Sequence, residues 1–209
     1  MQRLLGPVRV PRVILGDGRR PLSYGIEPGS IDLVLTSPPY PNAIDYTEVY
    51  KLELWLLGFV RDLHAFRRLR YSTVRSHSTI KEAEISSTLE HTLKHGALAS
   101  LLQPLLTKTG RSTKKWRRRM LLGYVSDLWD AFGEYYKCLR RGGHCVFVVG
   151  NSLHGGPALP YLIPTDLLVL ELARSCGFEI RRATIARSLP RRLAGNHFLR
   201  ESMLVLRKP

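Results

Sequence analysis

The chain has 209 residues, 44% of them hydrophobic, which is enough for one domain with a proper core and too apolar for a disordered chain. Its formal net charge of +15 and a pI near 10.2 point to a polyanionic partner. Three cysteines without a Cys-x-x-Cys pair support neither a disulfide framework nor a zinc site. No segment reads as a signal peptide, and the apolar run from Leu54 to Val60 is too short to span a bilayer, so a cytoplasmic protein is expected.

In chain order, Arg12 to Leu15 reads as a short strand ending at Gly16-Asp17. Ile31, Leu33, Val34 and Leu35 form a mostly apolar run, the pattern of a buried parallel strand. It ends in Ser37-Pro38-Pro39-Tyr40. Two successive prolines donate no backbone hydrogen bond and hold the chain extended, so the strand stops there and its carbonyls face a cleft. A lone Ser-Pro-Pro-Tyr reads as a rigid turn or a polyproline-type ligand; following a buried strand, it falls where open α/β sheets bind their ligands.

After the motif, Asp45 to Phe59 has helical spacing (Val49, Leu52, Leu56) and predicts a helix packed on the sheet, with Trp55 in the core. Residues 61–119 carry 14 Lys and Arg against 4 Asp and Glu, and 174–209 carry 9 against 2, while the remainder is close to neutral. The first of these regions reads as a basic insertion with a helix from Lys81 to about Leu102, ending near Pro104. Within it, Lys114, Lys115, Trp116, Arg117, Arg118 and Arg119 set an aromatic ring among five cations, the composition of a phosphate contact with base stacking or of a disordered basic loop.

Met120 to Leu139 predicts an amphipathic helix, His144 to Gly150 a buried strand, Pro164 to Cys176 a helix closed by Gly177, and Phe178 to Arg187 and Glu201 to Arg207 two further strands. His91 and His95 have metal-binding spacing but lack the Glu of a His-Glu-x-x-His motif, so they read as surface residues and no metal is expected. His154-Gly155-Gly156 is faintly like an esterase oxyanion loop. With no Gly-x-Ser-x-Gly elbow to supply a nucleophile, a hydrolase is excluded.

Ser37 to Tyr40, with Gly16-Asp17 before it and PNAIDYTEVYKLELWLLGF after it, resembles the catalytic motif of the amino-methyltransferases, which move a methyl group from S-adenosylmethionine to an exocyclic base nitrogen. The serine form is commonest among N4-cytosine DNA methyltransferases. CLRRGGHCVFVVGNS is similar to the helix, Gly-Gly turn and fifth strand of class I methyltransferases, with Arg141 where a proline is usual. The resemblance implies a Rossmann-like α/β sheet with helices on both faces and an antiparallel last strand, in one domain over 1–209. It assigns catalysis to Ser37, Pro38, Pro39 and Tyr40, places Asp17 near the donor, and makes DNA the partner, as in restriction-modification. N6-adenine, RNA guanine-N2 and a non-catalytic DNA-binding remnant stay open.

The family's donor pocket is built on a Phe-x-Gly-x-Gly turn, and no segment matches it. By resemblance the chain runs from the third strand to the seventh, without the donor-binding first two. A sheet without those strands exposes unpaired edges, so the chain alone is expected to be unstable or to associate with a second polypeptide carrying the Gly-rich turn; a separate donor half, a truncated gene and a loss of catalysis all stay open.

Overall fold

The computed structural model describes residues 10–41, 44–77, 87–107, 114–154, 161–190 and 198–209, with the backbone alone at 87–88, 114–116, 189–190 and 198. After a turn of 3-10 helix at Pro21–Tyr24, the elements are β1 (Ile31–Thr36), α1 (Tyr46–Val49), α2 (Lys51–Leu56), α3 (Leu63–Ser72), α4 (Ser87–Lys94), α5 (Gly96–Thr107) and α6 (Lys114–Cys138). They continue as β2 (Leu139–Gly150), β3 (Ser152–His154), β4 (Tyr161–Ile163), α7 (Thr165–Ser175), β5 (Glu179–Pro190) and β6 (Phe198–Arg207).

Four strands form a mixed sheet in the order β1-β2-β6-β5, and β3 with β4 makes a small antiparallel hairpin. β1 runs parallel to β2 with Val34 opposite Cys145, whereas β6 runs antiparallel to both neighbours, as the resemblance implies. Tight backbone approach sets the start of the parallel pair. A Cβ on Gly143 would lie 2.9 Å from the carbonyl oxygen of Arg140 and 3.2 Å from those of Ile31 and Asp32, so only glycine fits. Gly142, at φ 74°, turns the chain just before it.

The pleat puts Val34, Cys145, Phe147, Val149, Leu204 and Leu206 on one face, where they pack with α6 and α7. Phe132 of α6 stacks on Phe147 at 4.7 Å between centroids and meets Phe178 edge-on at 5.8 Å. In α7, Leu168, Val169, Leu172 and Ala173 form the buried stripe. The helix closes in a Schellman motif: Phe178 N–H donates to the Ala173 carbonyl and Gly177 N–H to that of Arg174, with Gly177 at φ 94°.

Several expectations need correction. Arg12 to Leu15 has no regular secondary structure and joins no sheet among the described residues, and Val13 and Leu15 are 92% and 99% exposed. β1 is not fully buried: Leu33 and Leu35, on the face away from α6, are 53% and 70% exposed. Asp45 to Phe59 forms two short helices broken at Tyr50, and Val49, Leu52, Leu56 and Phe59 point outward instead of onto the sheet. The helix expected from Lys81 is two helices hinged at Gly96, φ 78°, and Pro104 lies inside the second instead of ending it; positions 81–86 lie outside the described residues. Within the basic region, Leu89, Leu98 and Leu102 of α4 and α5 enter the core. α6 starts six residues earlier than expected and takes in the whole Lys114–Arg119 run.

Candidate functional site

β1 delivers Ser37, Pro38, Pro39 and Tyr40 to its carboxyl end, next to the carboxyl end of the parallel β2. Ser37 is exposed, and the two prolines and Tyr40 are half-buried. The Tyr40 ring packs against Gly150, the last residue of β2. A Cβ at Gly150 would come 2.6 Å from Cε2 of the ring and 2.8 Å from Cδ2. Ser152, just beyond, donates its hydroxyl to the Pro41 carbonyl at 2.9 Å and fixes the chain leaving the motif.

The phenol is held as well as the ring. Tyr40 Oη donates to Glu201 Oε1 on β6 at 2.5 Å, and Arg187 Nε on β5 donates to Glu201 Oε2 at 2.5 Å. Ser37 lies at the start of the same motif, one residue beyond the end of β1. The Arg187 and Tyr40 bonds hold the Glu201 carboxyl below its ordinary range, so it is ionised near neutrality. Burial, then the Glu201 bond and charge, push the Tyr40 phenol up, with Ser37 opposing. Sequence reasoning does not single out Glu201, Arg187, Gly150 or Ser152. They lie 110 or more positions from the motif, and only the sheet order brings them to it.

Beside the motif, Asp45 caps α1 through Thr47 N–H and pairs with Arg70 at 2.6 Å, with His77 Nδ1 at 3.5 Å. Burial raises the Asp45 carboxyl, but the Thr47 bond and the charges of His77 and Arg70 outweigh it and set it low. These contacts anchor the segment that follows Tyr40.

Asp17 is engaged by a neighbouring side chain. Arg19 takes both its carboxylate oxygens, through Nε at 3.0 and 3.1 Å and Nη2 at 2.7 Å. The same guanidinium reaches the buried Asp127 of α6 at 2.7 Å, which also binds Arg75. Asp17 therefore ties its turn to α6, and its carboxyl is set low chiefly by the Arg19 bond. Of the basic run, the side chains of Lys114, Lys115 and Trp116 lie outside the described residues. Arg117 is only 6% exposed and stacks on Tyr161, 3.5 Å from the ring centroid, which removes it from the surface; Arg118 is exposed and Arg119 half-buried. Helical winding turns successive cations about 100° apart, so the run is not one continuous basic face. Among the described residues no group of His, Cys, Asp and Glu could hold a metal ion, and no helix is long and apolar enough to cross a membrane.

Sequence comparison relates the chain to the Type II methyltransferases, the class that the Ser-Pro-Pro-Tyr motif resembles. M.BsoBI of Geobacillus stearothermophilus is 29% identical over 174 residues, 74% of this chain and 32% of its own length. M.AvaI of Nostoc sp. and of Anabaena variabilis are each 29% identical over 192 residues, 85% of this chain and 38% of theirs. The chain thus spans about a third of the length of the curated relatives it matches. No family model matches it. Among solved structures, a protein of Thermus thermophilus described as a DNA modification methylase aligns with 93% of this chain and 52% of its own, at 19% identity and a TM-score of 0.46. Its complex with S-adenosyl-L-methionine aligns at 16% identity and the same TM-score.

Proposed function

We propose that the chain is the base-capturing part of an S-adenosylmethionine-dependent DNA methyltransferase of restriction-modification type, acting on the N4 amine of cytosine. The observation that carries this reading is the seating of Tyr40 on Gly150, with its hydroxyl bonded to Glu201, beside the exposed Ser37 at the carboxyl end of β1.

An exocyclic amine is a poor nucleophile because its lone pair is delocalised into the ring. When the nitrogen begins to bond a methyl group it turns tetrahedral, its lone pair localises, and its two N–H groups become stronger donors. The Ser37 hydroxyl oxygen and the Pro38 carbonyl, fixed by the Pro-Pro unit, accept those bonds and so favour the transition state over the planar ground state. Tyr40 offers its free ring face to a base rotated out of the duplex and offsets part of the unstacking cost of a few kcal/mol. S-adenosylmethionine, when bound, supplies the sulfonium methyl group. No side-chain nucleophile is needed, and the work left to the protein is orientation.

The described residues do not build the donor's pocket. The chain has no Phe-x-Gly-x-Gly turn, and Asp17, the one residue expected to approach the donor, has its carboxylate engaged by Arg19. We therefore assign the described residues the acceptor side only, the donor side coming from a segment that carries the Gly-rich turn, on a second polypeptide or elsewhere in the same protein. Among the described residues β1 is an edge strand, and its exposed Leu33 and Leu35 suit such a segment. N6-adenine is the second reading, since its amine presents the same two N–H donors.

The test is transfer of a labelled methyl group to DNA by the chain, alone and with the donor-binding half of a relative. Nucleoside analysis then distinguishes N4-methylcytosine from N6-methyladenine. The reading expects transfer by the mixture and no saturable donor binding by the chain alone; DNA binding without transfer in either case would identify a non-catalytic remnant.

A further inference from the structure

We propose that Glu201 is the positioning residue of the site: through the Tyr40 hydroxyl it fixes the pose in which the ring is offered to the base. The inference rests on the reading of Ser37 and Tyr40 as the base-capturing pair.

A carboxylate has lone pairs and no proton to give, so the 2.5 Å contact between Tyr40 Oη and Glu201 Oε1 fixes where the phenol proton lies: on the bond to Glu201. With the ring packed on Gly150 and the hydroxyl tethered to β6, turning the side chain away from the carboxyl end of β1 breaks that charge-assisted bond.

Arg187 completes the arrangement. Its Nε donates to the second oxygen of Glu201 at 2.5 Å and its Nη2 to the first at 3.3 Å, which keeps the carboxylate charged and aimed although it is nearly buried. Tyr40 is therefore held at two points: its ring rests on Gly150 and its hydroxyl is held by Glu201. With Arg187 behind Glu201, residues of β2, β5 and β6 set the pose of the one ring that follows β1.

Two measurements test this. The first follows ionisation of the Tyr40 phenol by difference absorbance, subtracting Tyr40→Phe to remove the other eight tyrosines. Glu201→Gln is expected to lower the midpoint, because the carboxylate no longer opposes a phenolate beside it. Arg187→Gln, at an exposed side chain, is expected to raise it, because the carboxylate is left unneutralised. Opposite shifts are the signature; an unmoved midpoint in both variants overturns the proposal, and neither variant needs methyl transfer to be read. The second is single-turnover methyl transfer in the donor-supplied assembly. Glu201→Gln should slow transfer by about tenfold, the worth of one hydrogen bond, with DNA affinity unchanged. Tyr40→Phe placed on top of it should add little, because Glu201 acts through the Tyr40 hydroxyl. Independent, multiplying losses would overturn the coupling, whereas absence of transfer by the wild type would count against the proposed function and leave the phenol titration to decide this point.

Discussion

Gly150→Ala probes the seat of Tyr40 with one methyl group. The new Cβ would lie 2.6 and 2.8 Å from two ring carbons, well inside contact distance, and it cannot withdraw because it is fixed to the last residue of β2. The ring has to lift, which stretches the 2.5 Å bond from Tyr40 to Glu201 beyond hydrogen-bonding range. A hydrogen bond to a charged group contributes about 1.5–3 kcal/mol. The ring is half-exposed and water can replace part of that, so a loss of about 1–2 kcal/mol is expected. In a chain of this size that is roughly a 3–6 °C fall in Tm, and it is read by urea denaturation beside thermal melting. The same variant should lower the Tyr40 phenol midpoint and weaken base capture, since a lifted ring no longer lies in the plane offered to a rotated base. Wild-type stability together with an unchanged phenol titration would refute the reasoning, for it would mean that the ring does not rest on Gly150 in solution.

Three further outcomes follow from other contacts. Asp127→Ala should cost about 3 kcal/mol or more in urea denaturation, because it leaves the guanidinium groups of Arg19 and Arg75 with their buried counter-ion removed. For Asp166, burial raises the carboxyl, but the bonds from Arg200 and Ser202 outweigh it and set its pKa below the ordinary value. Its stabilisation is then complete above the unfolded pKa of about 4 and is lost as pH falls through the lower folded value; Asp166→Asn should flatten the loss of stability below pH 4. In DNA titrations, Arg118→Ala should reduce the slope of log affinity on log salt by up to about 0.9, while Arg117→Ala should leave the slope alone and lower stability. Equal slope changes in the two would show that Arg117 leaves Tyr161 to bind phosphate.

The parts of the fold that read clearly from the sequence are those where one local signal suffices. A mostly apolar run stopped by Pro-Pro gives β1 and the motif; HCVFVVG gives β2; the stripe of Leu168, Val169 and Leu172 with Gly177 gives α7 and its end. Errors arise where the outcome depends on what an element packs against. Val13, Ile14 and Leu15 carry strand propensity, yet no neighbour among the described residues offers them a ladder. Val49, Leu52 and Leu56 have helical spacing but no sheet beneath them. Lys114 to Arg119 reads as a loop because of its charge, although Lys and Arg are good helix formers and simply extend α6 by one and a half turns. At the site, Ser37 and Tyr40 are legible from the motif, but Glu201 is one acid in a basic region until the pairing of β6 with β2 sets it opposite Gly150.

The position of β6 bears on how the protein is made. β2 and β5 share no ladder with each other; each bonds to β6, which follows both in the order of synthesis. A nascent chain on the ribosome can form the β1–β2 pair and the helical layer, but must carry β5 unpaired until β6 emerges and is inserted between strands already made. Glu201 arrives with that same strand, so the phenol of Tyr40 acquires its partner in the step that closes the sheet. A ribosome that stalls before residue 198 would therefore release a product with neither a completed sheet nor an oriented base platform, and the open flanks of β2 and β5 would mark it for chaperones or proteases.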